Sequence, residues 1–242
     1  MRLVTIGSSS AGNCYLLQGE RETLVIECGV NPVQVKKALN FDFSAVVGAV
    51  VSHSHDDHSK YVNEFVTRGI PVLGLEHTLS AKNVAGSHFA KVVEPGRGYK
   101  LGQFKIIPFE LDHDVPCVGY HIYHPEMGNL IFVTDTCVMR YRFDNLNHIL
   151  IEANYDDGIL DDNIRNGSMP GIMRPRLLKS HLELDSVKAI LRAQDLSDVH
   201  NVVLLHLSSN NSNARQFAAE ITATVGLPVH VASKGMTLEL RS

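Results

Sequence analysis

The sequence predicts an α/β chain folded as a four-layer αββα sandwich, two mixed sheets face to face with helices outside. Three observations point there. Runs of strand length rich in β-branched residues recur along the chain, and several, such as 45–51 and 201–205, are apolar on both faces. Such runs suit strands covered from both sides. Segments with helical spacing lie between the strands, and the pattern divides into two similar halves.

Taken in order, strands are expected at 2–6, 14–18 and 23–27, a helix at 32–40, a strand at 45–51, a helix at 58–68, a strand at 70–75 and a helix at 77–84. A second set of strands follows at 91–93, 104–111, 117–124, 129–135 and 147–152. Residues 155–180 mix Asp, Gly, Asn, Pro and Arg with weak periodicity, which predicts a loop and short helix forming an arm over one edge. Helical spacing resumes at 184–191, and 199–207 reads as a strand. Asn213, a favoured N-cap type, opens a helix through Val225. Strands at 229–232 and 236–240 are expected to close the second sheet. No repeat at a solenoid period and no low-complexity tract interrupts the pattern.

At 242 residues and 44% hydrophobic, the chain can bury a substantial core, and residues 1–242 read as one domain without a linker. No apolar run approaches eighteen residues, and Met1-Arg2-Leu3-Val4-Thr5-Ile6-Gly7 reads as a strand entering a turn rather than a signal peptide. A cytoplasmic location is expected. Cys14, Cys28, Cys117 and Cys137 show no C-x-x-C spacing, so they are expected to be small buried thiols in a reducing compartment.

The densest chemistry is Ser52-His53-Ser54-His55-Asp56-Asp57-His58, directly after the apolar run at 45–51. His53 and His55, two apart in extended chain, can face one side and hold one cation. Asp57 and His58, where the chain turns into a helix, can hold another. Imidazole and carboxylate suit zinc, with manganese or iron as competitors. A polar loop capping the next helix is the competing reading, but it does not explain four donors in six residues. Two coordination shells need more donors, each at the end of an apolar run. His113, Asp135 and His206 stand at such ends.

With these residues in hand, the chain resembles the metallo-β-lactamase superfamily, whose motif order is an acidic residue after an early strand, His-x-His-x-Asp-His, a lone His, a lone Asp and a final His. Carried over by position, the resemblance implies His53, His55 and His113 on a first metal, Asp57, His58 and His206 on a second, and Asp135 bridging. Ser8-Ser9-Ser10-Ala11-Gly12-Asn13-Cys14-Tyr15, Glu152 to Asn154 and His206-Leu207-Ser208-Ser209-Asn210-Asn211 look most like the YycJ/WalJ-like single-domain nucleases. RNase Z and the cyclic phosphodiesterase PhnP look like more distant relatives. Three positions depart from the pattern. Glu27 stands where Asp is usual, and its expected task is to orient a ligand histidine. Tyr155 replaces a His in the Glu-x-Asn-His-Asp element, and the Gly-His-Leu-Ser-type segment reads Ser180-His181-Leu182-Glu183-Leu184.

The resemblance implies a binuclear-metal phosphodiesterase acting on nucleic acid, expected to be a 5′ to 3′ DNA exonuclease. Water held between two cations loses a proton near neutral pH and attacks phosphorus. Asp57 and Asp135 are expected to orient it, His181 to protonate the leaving oxygen, and Glu152 to hold His181. Asn154, Asn210 and Asn211 are candidate phosphate or sugar contacts. The net charge of −4, from 22 basic and 26 acidic residues, argues against wrapping long duplex and favours DNA ends as partner. Arg165, Arg174, Arg176 and Lys179 form the best basic cluster, with Arg176 the candidate substrate contact. A small-molecule phosphodiesterase and a metal-loaded binding protein without turnover are the alternatives. No membrane partner is expected.

Overall fold

The computed structural model describes residues 1–242. It contains two seven-stranded sheets with helices on both outer faces, as the sequence predicts. The first sheet comprises β1 (Arg2–Gly7), β2 (Cys14–Gln18), β3 (Thr23–Ile26), β4 (Val46–Val50), β5 (Val72–Gly74) and β6 (Ala90–Val92). Between them lie α1 (Pro32–Ala38), α2 (Asp56–Ser59), α3 (Val62–Thr67) and α4 (Glu76–Ala81). The second sheet takes β7 (Tyr99–Leu101), β8 (Phe104–Leu111), β9 (Cys117–His124), β10 (Gly128–Val133) and β11 (His148–Glu152). After α5 (Asp157–Arg165), α6 (Arg174–Ser180) and α7 (Leu184–Ala193) it adds β12 (Asn201–Leu205) and, after α8 (Ala214–Val225), β13 (Val229–Val231). The last strand is β14 (Thr237–Glu239).

Strand periodicity explains the layering. Along β10, Leu130 and Phe132 face the other sheet while Ile131 and Val133 face helices; along β12, Val203 and Leu205 face inward while Val202 and Leu204 face outward. The inner core joins Leu3, Leu17, Leu24 and Val50 of one sheet to Phe104, Tyr120 and Phe132 of the other. Outer cores pack α7 and α8 on the second sheet, and α1, α3 and α4 on the first. Cys14, Cys28 and Cys117 are buried free thiols and Cys137 is half-buried. Asn213 caps α8 by accepting from the backbone of Arg215 and Gln216.

Four expectations need correction. The final strand does not close the second sheet: β13 does, whereas β14 crosses to pair with β1 in the first. A short strand, β7, pairs with β8 where none was expected. The helix expected at 58–68 is split, because Cys28 accepts from the backbone N–H of Tyr61 and donates to the carbonyl of His58. The arm is more ordered than its composition suggests. Asp156 caps α5, and only Leu160 of α5 is buried, which leaves little periodicity to read.

No helix is long and apolar enough to cross a membrane.

Candidate metal centre

The predicted donors converge at one edge of the sandwich, at the C-terminal ends of β3, β4, β10, β11 and β12. In the first group, His53 Nε2 lies 3.0 Å from His55 Nδ1, and His113 Nε2 lies 3.2 Å from the same atom. Asp135 Oδ2 stands 3.8 Å from His53 and 3.9 Å from His113. In the second, His58 Nε2 lies 3.3 Å from both Asp57 Oδ2 and Asp135 Oδ1, and His206 Nε2 lies 3.2 Å from Asp57 Oδ2. The two oxygens of Asp135 therefore divide between the groups. Donors about 2.0–2.1 Å from a tetrahedral cation sit about 3.3 Å from one another, and the distances found, 3.0 to 3.9 Å, bracket that value.

Backbone geometry shows how the chain delivers these side chains. Glu27, Asp135 and His206 each follow the end of a strand, and each takes left-handed backbone, with φ of 65°, 45° and 52°. A residue other than glycine pays roughly 1–2 kcal/mol to do so. The turn redirects the chain at the sheet edge. Gly29 serves the same end by closeness: a Cβ there would lie 1.7 Å from the carbonyl oxygen of Asp57. That carbonyl also accepts the N–H of Asn13 at 2.7 Å, fixing α2 against the first sheet.

Outer contacts orient the rings. His53 Nδ1 meets Ser52 Oγ at 2.8 Å, and His113 Nδ1 meets the carbonyl of Ser180 at 3.0 Å. Glu27 Oε1 lies 3.3 Å from His58 Nδ1, and neither atom has another partner. Each contact occupies one ring nitrogen and leaves the other for the centre.

Charge supplies the test of fit for a cation. Glu27, Asp135 and Glu152 are buried and Asp57 half-buried. Their ion-pair partners are all imidazoles, never Lys or Arg. Burial opposes charge on Asp135, yet the neighbouring His206 and His58 hold its carboxyl well below the usual range. Burial likewise opposes charge on His206, but Asp135, Asp57 and Glu152 push it up to about 10. Burial and nearby histidines push His53 down, keeping a lone pair free. Buried carboxylates whose only ion-pair partners are imidazoles, groups that can give up a proton to a metal, form a site that divalent cations fit.

A further cluster adjoins the second group. Glu152 Oε1 lies 2.6 Å from His181 Nδ1 and 3.2 Å from His206 Nδ1, while Oε2 accepts from the backbone N–H of Leu182 at 3.2 Å. Burial works against a charged His181, but Glu152 outweighs it and raises the pKa above its ordinary value. His181 lines a cavity of about 330 Å³ together with His55, Asp57, His113, Asp135 and His206. None of its eleven lining residues is apolar.

Among the candidate substrate contacts, Arg176 lines this cavity. Asn154, Asn210 and Asn211 do not. Asn154 is buried and donates to Glu152 Oε1 and the carbonyl of His206. Asn210 and Asn211 receive the side chain of Asn163, tying the arm to the loop after β12. Arg165 is paired with Asp162, Arg174 with Asp157 and Asp161, and Arg176 reaches Asp114 at 4.0 Å, so three of the four residues of the expected basic cluster face carboxylates. The sequence reading missed Asp114, whose Oδ1 lies 3.1 Å from His113 Nε2 and 3.3 Å from His55 Nε2. Its only signal was adjacency to His113. It also missed Asn13, whose Nδ2 lies 3.1 Å from His58 Nε2.

A two-sheet sandwich with paired His/Asp clusters at one sheet edge defines a hydrolase built to hold divalent metal. The model of the metallo-beta-lactamase superfamily matches residues 9–136, and the chain belongs to that superfamily. It is similar to the exodeoxyribonuclease YycJ of Bacillus anthracis, 23% identical over 221 residues that span 86% of this chain and 82% of that protein. It is also similar to ribonuclease Z of Treponema denticola, 25% identical over 43% of this chain and 40% of the relative. Zn(2+)-bound PqqB from Methylobacterium extorquens shares the fold, with a TM-score of 0.74, 13% identity and coverage of 99% and 100% of the two chains.

Proposed function

We propose that residues 1–242 form one catalytic unit, a binuclear-metal phosphodiesterase acting on nucleic acid as a 5′ to 3′ DNA exonuclease. One observation carries the choice of phosphate: the cavity over the donors has no apolar residue and is lined by Arg176 and by His181, which the buried Glu152 holds from behind at 2.6 Å. An acyl or lactam substrate would call for apolar lining, whereas a phosphodiester calls for charge and a proton donor. The similarity to YycJ supports DNA, and that to ribonuclease Z supports nucleic acid more broadly.

His53, His55 and His113 would hold one cation, Asp57, His58 and His206 the other, with Asp135 shared. Zinc suits this donor set best. When bound, the cations lower the pKa of water and neutralise the non-bridging phosphoryl oxygens. Asp57 and Asp135 accept hydrogen bonds from the attacking water and aim it at phosphorus. As the bond from phosphorus to the departing oxygen breaks, His181, held by Glu152 through Nδ1, gives that oxygen the proton on Nε2. The products are a phosphate monoester and a free hydroxyl. Arg176 offsets charge on the incoming strand.

The test is purified protein incubated with end-labelled single- and double-stranded DNA and with zinc, manganese, iron or cobalt. Stepwise loss of nucleotides from the 5′ end is expected, and no cleavage with any metal rejects the reading. The cavity, about 330 Å³, is also of a size for one small phosphodiester. Hydrolysis of bis(p-nitrophenyl) phosphate without any of DNA or RNA would favour a small-molecule phosphodiesterase.

A further inference from the structure

The chain carries more acidic than basic residues, 26 against 22, and Arg165 and Arg174 of its most obvious basic cluster are already paired with carboxylates. A polyanion reaching past Arg176 must therefore meet further cations elsewhere. Beyond the loop between β1 and β2 lies a second cavity of about 340 Å³, lined by Ser9, Gln34, Lys60, Tyr61 and Lys234 among others. Ser10 of the same loop lines the metal-centre cavity. A third cavity, about 460 Å³, shares Gln34 and Lys234 with the second and adds Lys37. The adjacent Ser10 and Ser9 thus link the metal-centre cavity to the second, and Gln34 and Lys234 link the second to the third.

Side-chain charge in the linings of the two outer cavities is of one sign. Neither outer cavity has an Asp or Glu in its lining. Lys37, Lys60 and Lys234 are exposed, and none has a carboxylate within 4.0 Å. By contrast, Lys82 and Lys188 are engaged by Asp56 and by Asp185 and Glu220. Lys60 Nζ lies 5.7 Å from the centroid of the Tyr61 ring, which places an aromatic face beside a cation. Unpaired cations along a groove with an aromatic side chain are what a single strand uses, its phosphates meeting charge and its bases stacking.

We infer that this groove carries the backbone of a single-stranded polynucleotide away from the metal centre, with Lys60, Lys234 and Lys37 as its phosphate contacts. The inference rests on the nuclease reading above and adds the path of the strand. Phosphate contacts fix position without reading sequence, so DNA and RNA single strands are held alike.

The experiment compares wild type with K60A/K234A and K60A/K234A/K37A, all metal-loaded and matched in melting temperature. Binding of a phosphorothioate-linked single-stranded oligonucleotide is measured across a salt series, alongside turnover of a long oligonucleotide and of bis(p-nitrophenyl) phosphate. Each lost contact removes about 0.7 from the slope of log affinity against log salt, so reductions of about 1.4 and 2.1 are expected. KM for the long oligonucleotide rises about tenfold or more at unchanged kcat, K60R/K234R restores it, and bis(p-nitrophenyl) phosphate is hydrolysed as by wild type. If wild type cleaves oligonucleotides while slope and KM stay unmoved in the variants, the path is wrong and the nuclease reading stands. If wild type hydrolyses bis(p-nitrophenyl) phosphate but neither binds nor cleaves any oligonucleotide, both fall.

Discussion

His206 and His148 belong to neighbouring strands of the second sheet, at its opposite ends, and both are buried. Their titration runs in opposite directions. His206 follows β12 at the donor edge, where Asp135, Asp57 and Glu152 override burial and push it up to about 10. His148 opens β11 at the far edge, where burial and the nearby His200 push it down to about 4, against a weaker pull from the carbonyl of Arg241. The fold treats both rings alike. The carboxylates at one end make the difference: they hold a proton on the ring that a cation would displace.

The comparison breaks most readily at Asp135, which serves both donor groups. Asp135→Asn should lower turnover by about 10³-fold or more, equivalent to about 4 kcal/mol, with the circular dichroism spectrum retained. If activity survives, the donor edge is not the reaction centre. His181→Ala should cost about 10²-fold, the usual scale for a lost general acid, with metal content by elemental analysis near wild type. Loss of metal would place His181 in the coordination shell instead.

The far edge gives a pH test with a definite sign. Unfolded, His148 titrates near 6.5; folded, near 4. Its contribution is complete above pH 6.5 and falls as pH drops from there to about 4, because the unfolded chain takes up a proton that the folded chain refuses. A loss of about 3 kcal/mol over that window is expected, measured by denaturant midpoint, and His148→Gln should flatten it. At the smallest end, Asn210→Ala should leave turnover within about twofold and stability within about 0.5 kcal/mol. A large loss of activity there would show that the loop after β12 reaches substrate.

The donor set was legible because most of it is local or follows a strand end. His-x-His-x-Asp-His lies in one hexapeptide, and His113, Asp135 and His206 each sit where an apolar run stops. The layers were legible because strands buried on both faces leave continuous apolar runs. What escaped depends on distant partners. β14 joins β1 across nearly the whole chain, and nothing local in either strand marks that pairing. Asn13 and Asp114 matter only because of what the fold sets against them. The arginine cluster read as a cationic face because its neutralising partners, Asp157, Asp161 and Asp162, stand on a helix whose bounds within the arm composition did not fix.

The left-handed backbone at Glu27, Asp135 and His206 puts chemistry and durability in opposition. Glycine at these positions would relieve the local cost while deleting a donor or its support. A lineage released from the need for turnover would drift toward glycine or asparagine at these three points and become hardier, so their identity in any descendant of this chain is a record of whether its reaction is still required.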